Sequence, residues 1–506
     1  MSSQEPRISQ AESVQRPKRW PLVTQPSNRS TNFLQDARLV NCYAEKDEAE
    51  GTYQIEKRFG FSATGNAPGA PLPSGVGRGI FPWLPYTAAD VNSLYTVAII
   101  GSSVYFQSLG SPGFVYTGGI SLGAAGQSNT CAFLSIPNQT TPYLLFGAGL
   151  YACYMETNGI PVAITGGFPA NVVRGFGYLD SYIYVMDSSG TIWESVNEND
   201  PTSWTVVDTI LAGAYPDQGV AIANQLTYII AFKSYSTQFF YDAGNTVGSS
   251  LAPVPGALLN IGCASADTLQ ELDGVLYFVT QNRQSALQIG MLDNLQFTVI
   301  STPAIDRLLI GSPGTNSAPV GYGWTSMAFE RAGHKFYAVT NTFQNITLVY
   351  DIGQKLWYQW TDSNGNFFPL TSITAGPSGT TPLLGQSIMT GALYYVDADY
   401  VYPNDNGVIT PVDIYTPDQD FGVHRIKHLS QMRFNADQTA GSRLWIRYSE
   451  NDYSTWTNFR QVDLGQKEPL LNDEGSFYHR AYHFRHAANT AFRMDSVDLQ
   501  MDIGTL

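Results

Sequence analysis

Asp273-Gly274-Val275-Leu276-Tyr277-Phe278-Val279 opens on a turn dipeptide and runs straight into aliphatic and aromatic residues. That is how a short, largely buried β-strand reads. The phrase has six further copies: Ser93-Leu94-Tyr95-Thr96-Val97, Pro142-Tyr143-Leu144-Leu145-Phe146, Ser181-Tyr182-Ile183-Tyr184-Val185, Gln225-Leu226-Thr227-Tyr228-Ile229, Gly333-His334-Lys335-Phe336-Tyr337-Ala338-Val339 and Thr390-Gly391-Ala392-Leu393-Tyr394-Tyr395-Val396. Marked at Leu94, Tyr143, Ile183, Tyr228, Leu276, Phe336 and Leu393, the steps are 49, 40, 45, 48, 60 and 57 residues. Few runs show the i, i+3, i+4 spacing of a helix. A strand phrase recurring every 40–50 residues or so is the spacing of propeller blades.

The spacing predicts an all-β chain: a β-propeller of about seven blades over 77–412, with a further β-sandwich-like domain over 413–506. The blades fall at 77–122, 129–169, 174–210, 218–262, 264–305, 322–362 and 370–401, and a count of six or eight is compatible with the same spacing. Gly/Pro/Ser-rich loops, Gly311–Gly321 and Asn364–Gly379, account for the two widest steps. Residues 1–35, broken by Pro6, Pro17, Pro21 and Pro26, read as a flexible N-terminal arm, and 36–76 as strands leading into the propeller. Beyond residue 413 the composition changes: five of the six histidines lie there, with alternating runs such as Leu444-Trp445-Ile446-Arg447-Tyr448.

The formal net charge of −15 is uneven. Residues 77–412 hold 8 Lys and Arg against 21 Asp and Glu, so the propeller carries nearly all of the excess. Tight nucleic-acid binding needs cations to neutralise phosphates, and such a disc lacks them. It suits a surface that DNA passes without sticking, and also plain solubility. Cys42, Cys131, Cys153 and Cys263 lack CxxC spacing and sit in apolar runs, which predicts buried free thiols. The start at Met1 has no apolar signal core, and no run approaches ~18 apolar residues, so synthesis in the cytoplasm is expected.

Motifs for chemistry are sparse. There is no phosphate-binding loop, no dinucleotide fingerprint and no H-E-x-x-H. Ser449–Trp456 approximates the Asp-box of sialidase-like propellers, with Asn451 and Tyr453 in place of the Asp and Gly; that box is a structural hairpin corner even in enzymes. Sialic-acid-type sites set several arginines against the carboxylate, and only Arg78, Arg174, Arg283, Arg307 and Arg331 occur in the repeats, without recurrent spacing, so enzyme activity of that type is unsupported. His479, His483 and His486 would share a face on a helix, but on a strand His486 points away from the other two, and the aromatic context favours a strand. No catalytic, cofactor-binding or metal site is assigned. Interface candidates are Arg16, Lys18 and Arg19 in the arm and His424, Arg425, Lys427 and His428, where bases alternate with an aliphatic. If Arg425 and Lys427 dock a neighbour, changing both to Glu should weaken assembly and leave the monomer folded.

Several short segments together resemble a known family. They are Asn41-Cys42-Tyr43-Ala44-Glu45, Arg58-Phe59-Gly60-Phe61, Gly77-Arg78-Gly79, Asn199-Asp200-Pro201-Thr202-Ser203-Trp204, Pro216-Asp217, Ser236-Thr237-Gln238-Phe239-Phe240-Tyr241, Leu272-Asp273-Gly274, Ile300-Ser301-Thr302-Pro303-Ala304-Ile305, Arg447-Tyr448-Ser449 and Thr455-Trp456. In pattern and order the chain resembles the packaged-DNA stabilisation proteins of short-tailed bacteriophages, also called tail accessory, tail hub or nozzle proteins. The resemblance implies a non-enzymatic virion tail protein, cytoplasmic during assembly. Six copies would surround the tail axis below the portal-adaptor ring, with other tail proteins as partners, retaining packaged DNA and serving as its conduit at ejection. It implies no catalytic residue, no cofactor and no membrane. A glycan-binding or glycan-cleaving propeller, for instance a host-surface adhesin, is the alternative that the aromatic content and the altered Asp-box suggest.

Overall fold

In the computed structural model the phrase lies where both faces of a strand are covered. Ile229, Ile230, Ala231 and Phe232 are all buried, as are Val97 through Ile100. A blade packed between two others buries both faces of its inner strands, so these read as continuous apolar runs. The structure describes residues 18–26, 36–47, 51–63, 75–85, 94–108, 114–120, 130–137, 141–284, 287–310, 323–375, 383–396 and 404–504. The expected loop Gly311–Gly321 lies outside them.

Seven antiparallel sheets follow one another along the chain. Blades one to four each hold four consecutive strands, beginning with Gly77–Trp83, Ala132–Ile136, Gly177–Leu179 and Gly219–Gln225. Blade five has a divided inner strand, Gly262–Cys263 and Gln270–Leu272, with the 3-10 turn Ala266–Thr268 between the pieces. Blade six starts at Trp324–Arg331. Among the described residues blade seven has three strands of its own, Leu370–Thr374, Leu383–Ser387 and Leu393–Val396; its fourth is Phe61–Ala63, paired in register Ser62 to Tyr395. The ring is thus closed by a strand that precedes blade one in sequence. Where blade seven meets blade one, Gln386 accepts from the Gly79 amide at 2.7 Å and donates to the Ile99 carbonyl at 3.0 Å. A Cβ on Gly77 would lie 2.1 Å from the Ser387 carbonyl oxygen, so the seam requires glycine there.

The two wide steps have causes the spacing did not show. The step of 60 contains the helix Pro303–Ile310, started by a proline that needs no amide partner in the first turn. The step of 57 arises because the phrase is the second strand in blades one to six but the third in blade seven, after Leu383–Ser387.

The C-terminal residues build two facing sheets. One runs Cys42–Lys46, Tyr53–Lys57, Arg493–Ile503, Lys427–Ala436, Leu470–Phe477, with Lys18–Pro21 also on Arg493–Ile503. The other continues blade six: Arg38–Val40 pairs with Leu356–Gln359 in parallel at Val40 to Gln359, then come Val412–Tyr415, Ala481–His486, Arg443–Ser449 and Arg460–Asp463. The described strands between residues 36 and 63 therefore divide between the sandwich and the closing strand of blade seven. One buried cluster fills the sandwich with Leu39, Ile414, Met432, Phe484 and Leu499 and runs on through Phe59, Trp360 and Phe368 into blades six and seven. The two parts share a core as well as a sheet.

Candidate functional site

The inner strands of a propeller converge on an axis and leave a space there. Here that space is a cavity of about 390 Å³, lined by Arg78, Phe133, Gln270, Met327 and Ser372 among others. The turn Ala266–Thr268 is tied to residues that line it. Asp267 Oδ1 accepts from the amide and the hydroxyl of Thr130, at 3.0 and 2.5 Å, and Ser326 donates to the Asp267 carbonyl at 2.8 Å. Arg174 completes the lock: it donates to the carbonyls of Thr130 (3.2 Å), Ala266 (3.0 Å), Leu269 (3.4 Å) and Cys131 (3.4 Å) and lies 3.7 Å from Asp267. Thr130 leads into blade two and Asp267 belongs to blade five, which are not neighbours in the ring. The bond between them spans the axis. With water at roughly 30 Å³ per molecule, the remaining volume suits a cluster of waters and not a nucleic-acid strand.

The short segments singled out in the sequence sit at joints. Asn41, held at φ 56°, donates to Thr361 Oγ1 at 2.8 Å and to the Pro411 carbonyl at 3.0 Å. Its side-chain oxygen accepts from the Thr361 amide at 2.7 Å and from Arg58 Nε at 3.0 Å. Asp200 receives the Thr202 amide and hydroxyl at 2.8 and 2.6 Å, and Trp204 donates from its indole to the Pro201 carbonyl at 2.8 Å, pinning the corner before the outer strand of blade three. Asp217 receives the Tyr235 amide at 2.9 Å and the Ser236 hydroxyl at 3.0 Å, and pairs with the buried Lys233 at 3.1 Å. Burial works to raise the Asp217 carboxyl, but these hydrogen bonds and Lys233 outweigh it and hold it below its usual range. All of these groups are saturated by the fold itself.

The interface candidates do not form one surface. Arg16 lies outside the described residues. Lys18 is opposite Leu499 on the sandwich edge, and Leu499 in turn faces Met432, about 17 Å along the strand from Lys427 at ~3.4 Å per residue. Arg19 is exposed and donates from Nε to Ser496 Oγ at 2.9 Å. His424 is 96% exposed, 3.5 Å from Asp420, and Arg425 is exposed beside it. His428 is exposed, its Nδ1 2.6 Å from Ser476 Oγ. Lys427 departs from the alternation: it is fully buried, and its ammonium donates to the carbonyls of Arg425 at 3.0 Å and Tyr478 at 2.5 Å. It serves the fold of its own chain and cannot present its charge to a neighbour.

His483 and His486 share the strand Ala481–His486 but face opposite ways, and His479 precedes it. His483 Nε2 lies 2.7 Å from Asp413 on one face, stacked on Tyr415; His486 lies on the other, its Nε2 3.0 Å from Ser442 Oγ; His479 is half-exposed, 2.7 Å from Asp418. Among the described residues no three His, Cys, Asp or Glu side chains are grouped as metal ligands. The Asp-box-like segment is a hairpin corner: Asn451 accepts from the Thr455 amide at 2.9 Å, and Tyr453 donates to the Thr416 carbonyl at 2.7 Å. All four cysteines are free and buried, and burial pushes the thiols of Cys131 and Cys263 up to about 12. No described helix is long and apolar enough to cross a membrane.

The axis lock carries no motif that a sequence reading could have caught; its only trace is that Arg174 is one of five arginines in the repeats. Against known proteins, residues 169–367, spanning blades three to six, match the family described as Bacteriophage P22 Gp10, beta-propeller. No curated protein matches the chain. Similar solved structures include BBS1N in complex with ARL6DN (12% identity, TM-score 0.40, covering 68% of this chain and 98% of that one). Others are the extracellular domain of the hybrid two component system BT4673 from B. thetaiotaomicron (10%, 0.40, 78% and 46%) and the computationally designed Ika8 protein (9%, 0.33, 65% and 98%). At those scores the likenesses carry no argument.

Proposed function

We infer a mechanical role in the virion from the premise that residues 169–367 place this chain with a phage tail β-propeller family. In the reading we favour, six copies surround the tail axis below the portal-adaptor ring and beside other tail proteins. They close the exit channel to retain packaged DNA and later form part of the ejection conduit. The role is structural and needs no catalysis. The family match is the observation that carries this reading.

Two physical features support it. The bond between Thr130 and Asp267 crosses the propeller axis, so a conduit would run between copies and not through a propeller. A wall of propellers with 21 acidic against 8 basic residues would repel phosphate, screened over ~8–10 Å at ordinary salt, so DNA would slide without adhering. Copies would be held through sheet edges and loops, leaving the shared propeller–sandwich core rigid.

Light scattering and negative-stain imaging of the purified chain, alone and mixed with the adaptor ring of the same virus, test this. A sixfold ring, free or formed on the adaptor, is the expected result. A monomer indifferent to the adaptor overturns it.

A further inference from the structure

The connections at 212–218 and 234–236, the turn at Asn260 and the segment 282–284 link either the outer strand of one blade to the inner strand of the next, or the second strand to the third. In an up-and-down blade these connections emerge on one face. Between blades four and five they enclose a pocket of about 290 Å³, at the lower edge of the roughly 300–1,000 Å³ of ligand sites.

Its floor is electrically neutral. Lys233, 2% exposed, donates to the carbonyls of Ala212, at 2.8 Å, and Tyr215 and pairs with Asp217 at 3.1 Å. Both Asp217 oxygens are occupied by Ser236, Tyr235 and Lys233. Asp217, the carboxylate among the described lining residues, is thus taken up by the fold, which suits binding.

Its rim is different. Tyr215 and Tyr235 supply aromatic surface, and Asn260, Asn282 and Gln284 supply amide groups. The exposed guanidinium of Arg283 sits over the Tyr235 ring, 5.3 Å from its centre. Among the described residues it makes no hydrogen bond or ion pair. It is an open cation on a propeller dominated by anions. One guanidinium matches one carboxylate in bidentate fashion, whereas a phosphoryl group at neutral pH carries more charge than this rim balances. Aromatic rings beside amides suit the apolar face and hydroxyls of a sugar.

We propose that this pocket binds an acidic saccharide of uronic-acid type, the sugar ring against Tyr215 and Tyr235 and its carboxylate on Arg283. The proposal does not rest on the tail role, because it concerns one face of a single propeller.

Saturation-transfer NMR on the full chain, with methyl glucuronide, methyl glucoside and acetate as probes, tests it. Methyl glucuronide is expected to bind, with the glucoside and acetate each at least tenfold weaker. Arg283→Ala should weaken the glucuronide about tenfold and leave the glucoside unchanged; Tyr215→Ala should weaken both sugars. Unaltered thermal melting of each variant verifies the fold, and Arg283→Gln substitutes if Arg283→Ala melts early. No glucuronide binding at millimolar concentration overturns the proposal, as does glucuronide binding that Arg283→Ala leaves intact. Acetate binding as well as the glucuronide overturns it in favour of a simple carboxylate, such as a peptide terminus. None of these outcomes changes the assembly state, so failure here is distinguishable from failure of the tail reading.

Discussion

Arg58 and Asp405, 347 residues apart in the chain, meet through two hydrogen bonds of 2.9 and 2.6 Å where the side chains are 1% and 8% exposed. The same guanidinium donates to the Thr361 carbonyl at 2.8 Å, at the end of blade six, and to its own neighbour's carbonyl at Phe59, also at 2.8 Å. It lies over the Phe368 ring, 4.7 Å from the centre. One side chain thus fixes the segment entering the propeller, the end of blade six and the segment entering the sandwich.

Removing one partner of a buried pair leaves the other charged and unsolvated, a loss of about 3–5 kcal/mol. Arg58→Ala is therefore expected to shift the urea unfolding midpoint strongly downward. Replacing both charges, as in Arg58→Met with Asp405→Leu, should recover part of the loss because no orphan charge remains. A double variant no better than the single one would show that the surrounding hydrogen bonds to Asn41 and Thr361, and not the ion pair, dominate the joint.

Closure of blade seven by Phe61–Ala63 makes a second prediction. Ser62 lies directly opposite Tyr395, and residues so placed in an antiparallel pair have Cβ atoms about 4.5–5.5 Å apart. Cysteines at both positions should form a disulfide on oxidation. The bridge would close a very long loop, worth up to about 5 kcal/mol in a chain-entropy account. Faster migration of the oxidised variant on a non-reducing gel, with a higher melting temperature, is the expected outcome. Failure to crosslink under oxidation would contradict the pairing.

Much of the architecture was legible because the second strand of a blade is buried on both sides and must be apolar throughout. That requirement writes the phrase around Leu276 and its copies. The closing strand was not legible, since Phe61-Ser62-Ala63 is too short to carry a pattern and its partner is more than three hundred residues away. Arg174 and Asp267 gave no signal because a side chain that caps backbone carbonyls across an axis needs no fixed spacing. Lys427 misled for a related reason: the carbonyls that solvate its ammonium come partly from Tyr478, just past the end of the neighbouring strand Leu470–Phe477. The joints at Asn41, Arg58, Asp200 and Asp217 stood out as short segments, but their work became visible only with their partners in place.

The axis lock predicts that Arg174 matters more than its place in the chain suggests. Hydrogen bonds to a charged group contribute about 1.5–3 kcal/mol each when made, and the carbonyls left behind are desolvated. Arg174→Met should destabilise the fold by at least about 2 kcal/mol and speed amide exchange near Thr130 and in the turn Ala266–Thr268. Exchange that accelerates uniformly across all blades would argue against a local lock.

Two histidines give stability opposite dependences on pH. Burial, then the charge of Lys57, lowers His486 to about 3. An unfolded histidine titrates near ~6.5, so between these values the unfolded chain binds the extra proton. The contribution of His486 is fully present above about pH 6.5 and is lost as pH falls towards 3. For His334, burial works to lower the value, but the hydrogen bond and charge of Asp351, with Glu45 and Glu56, outweigh it and raise it. Its contribution is present below about 6.5 and fades as pH rises through its folded value. His486→Gln should therefore shrink the difference between urea midpoints at pH 7.5 and pH 5, while His334→Gln should cost more at pH 5 than at pH 7.5. Equal effects at both pH values would remove the titration argument and leave only packing.

The pair Arg425 and Lys427 separates assembly from folding. Arg425 is exposed, so Arg425→Glu should leave the melting temperature within a degree or two and weaken any contact that the basic loop makes with an acidic neighbour, most clearly at low salt. Lys427 is buried on two carbonyls and beside Phe477, 5.7 Å from the ring centre. Lys427→Glu would bury a carboxylate against those same carbonyls, with no donor to meet it, at a cost of several kcal/mol. The expected result is loss of the folded sandwich, read by circular dichroism and by protease sensitivity at the Lys427–Ala436 strand. If the Lys427 variant folds normally while Arg425→Glu unfolds the chain, the burial assigned to this strand is reversed. If Arg425→Glu leaves assembly unchanged at low salt, the loop has no part in holding copies together.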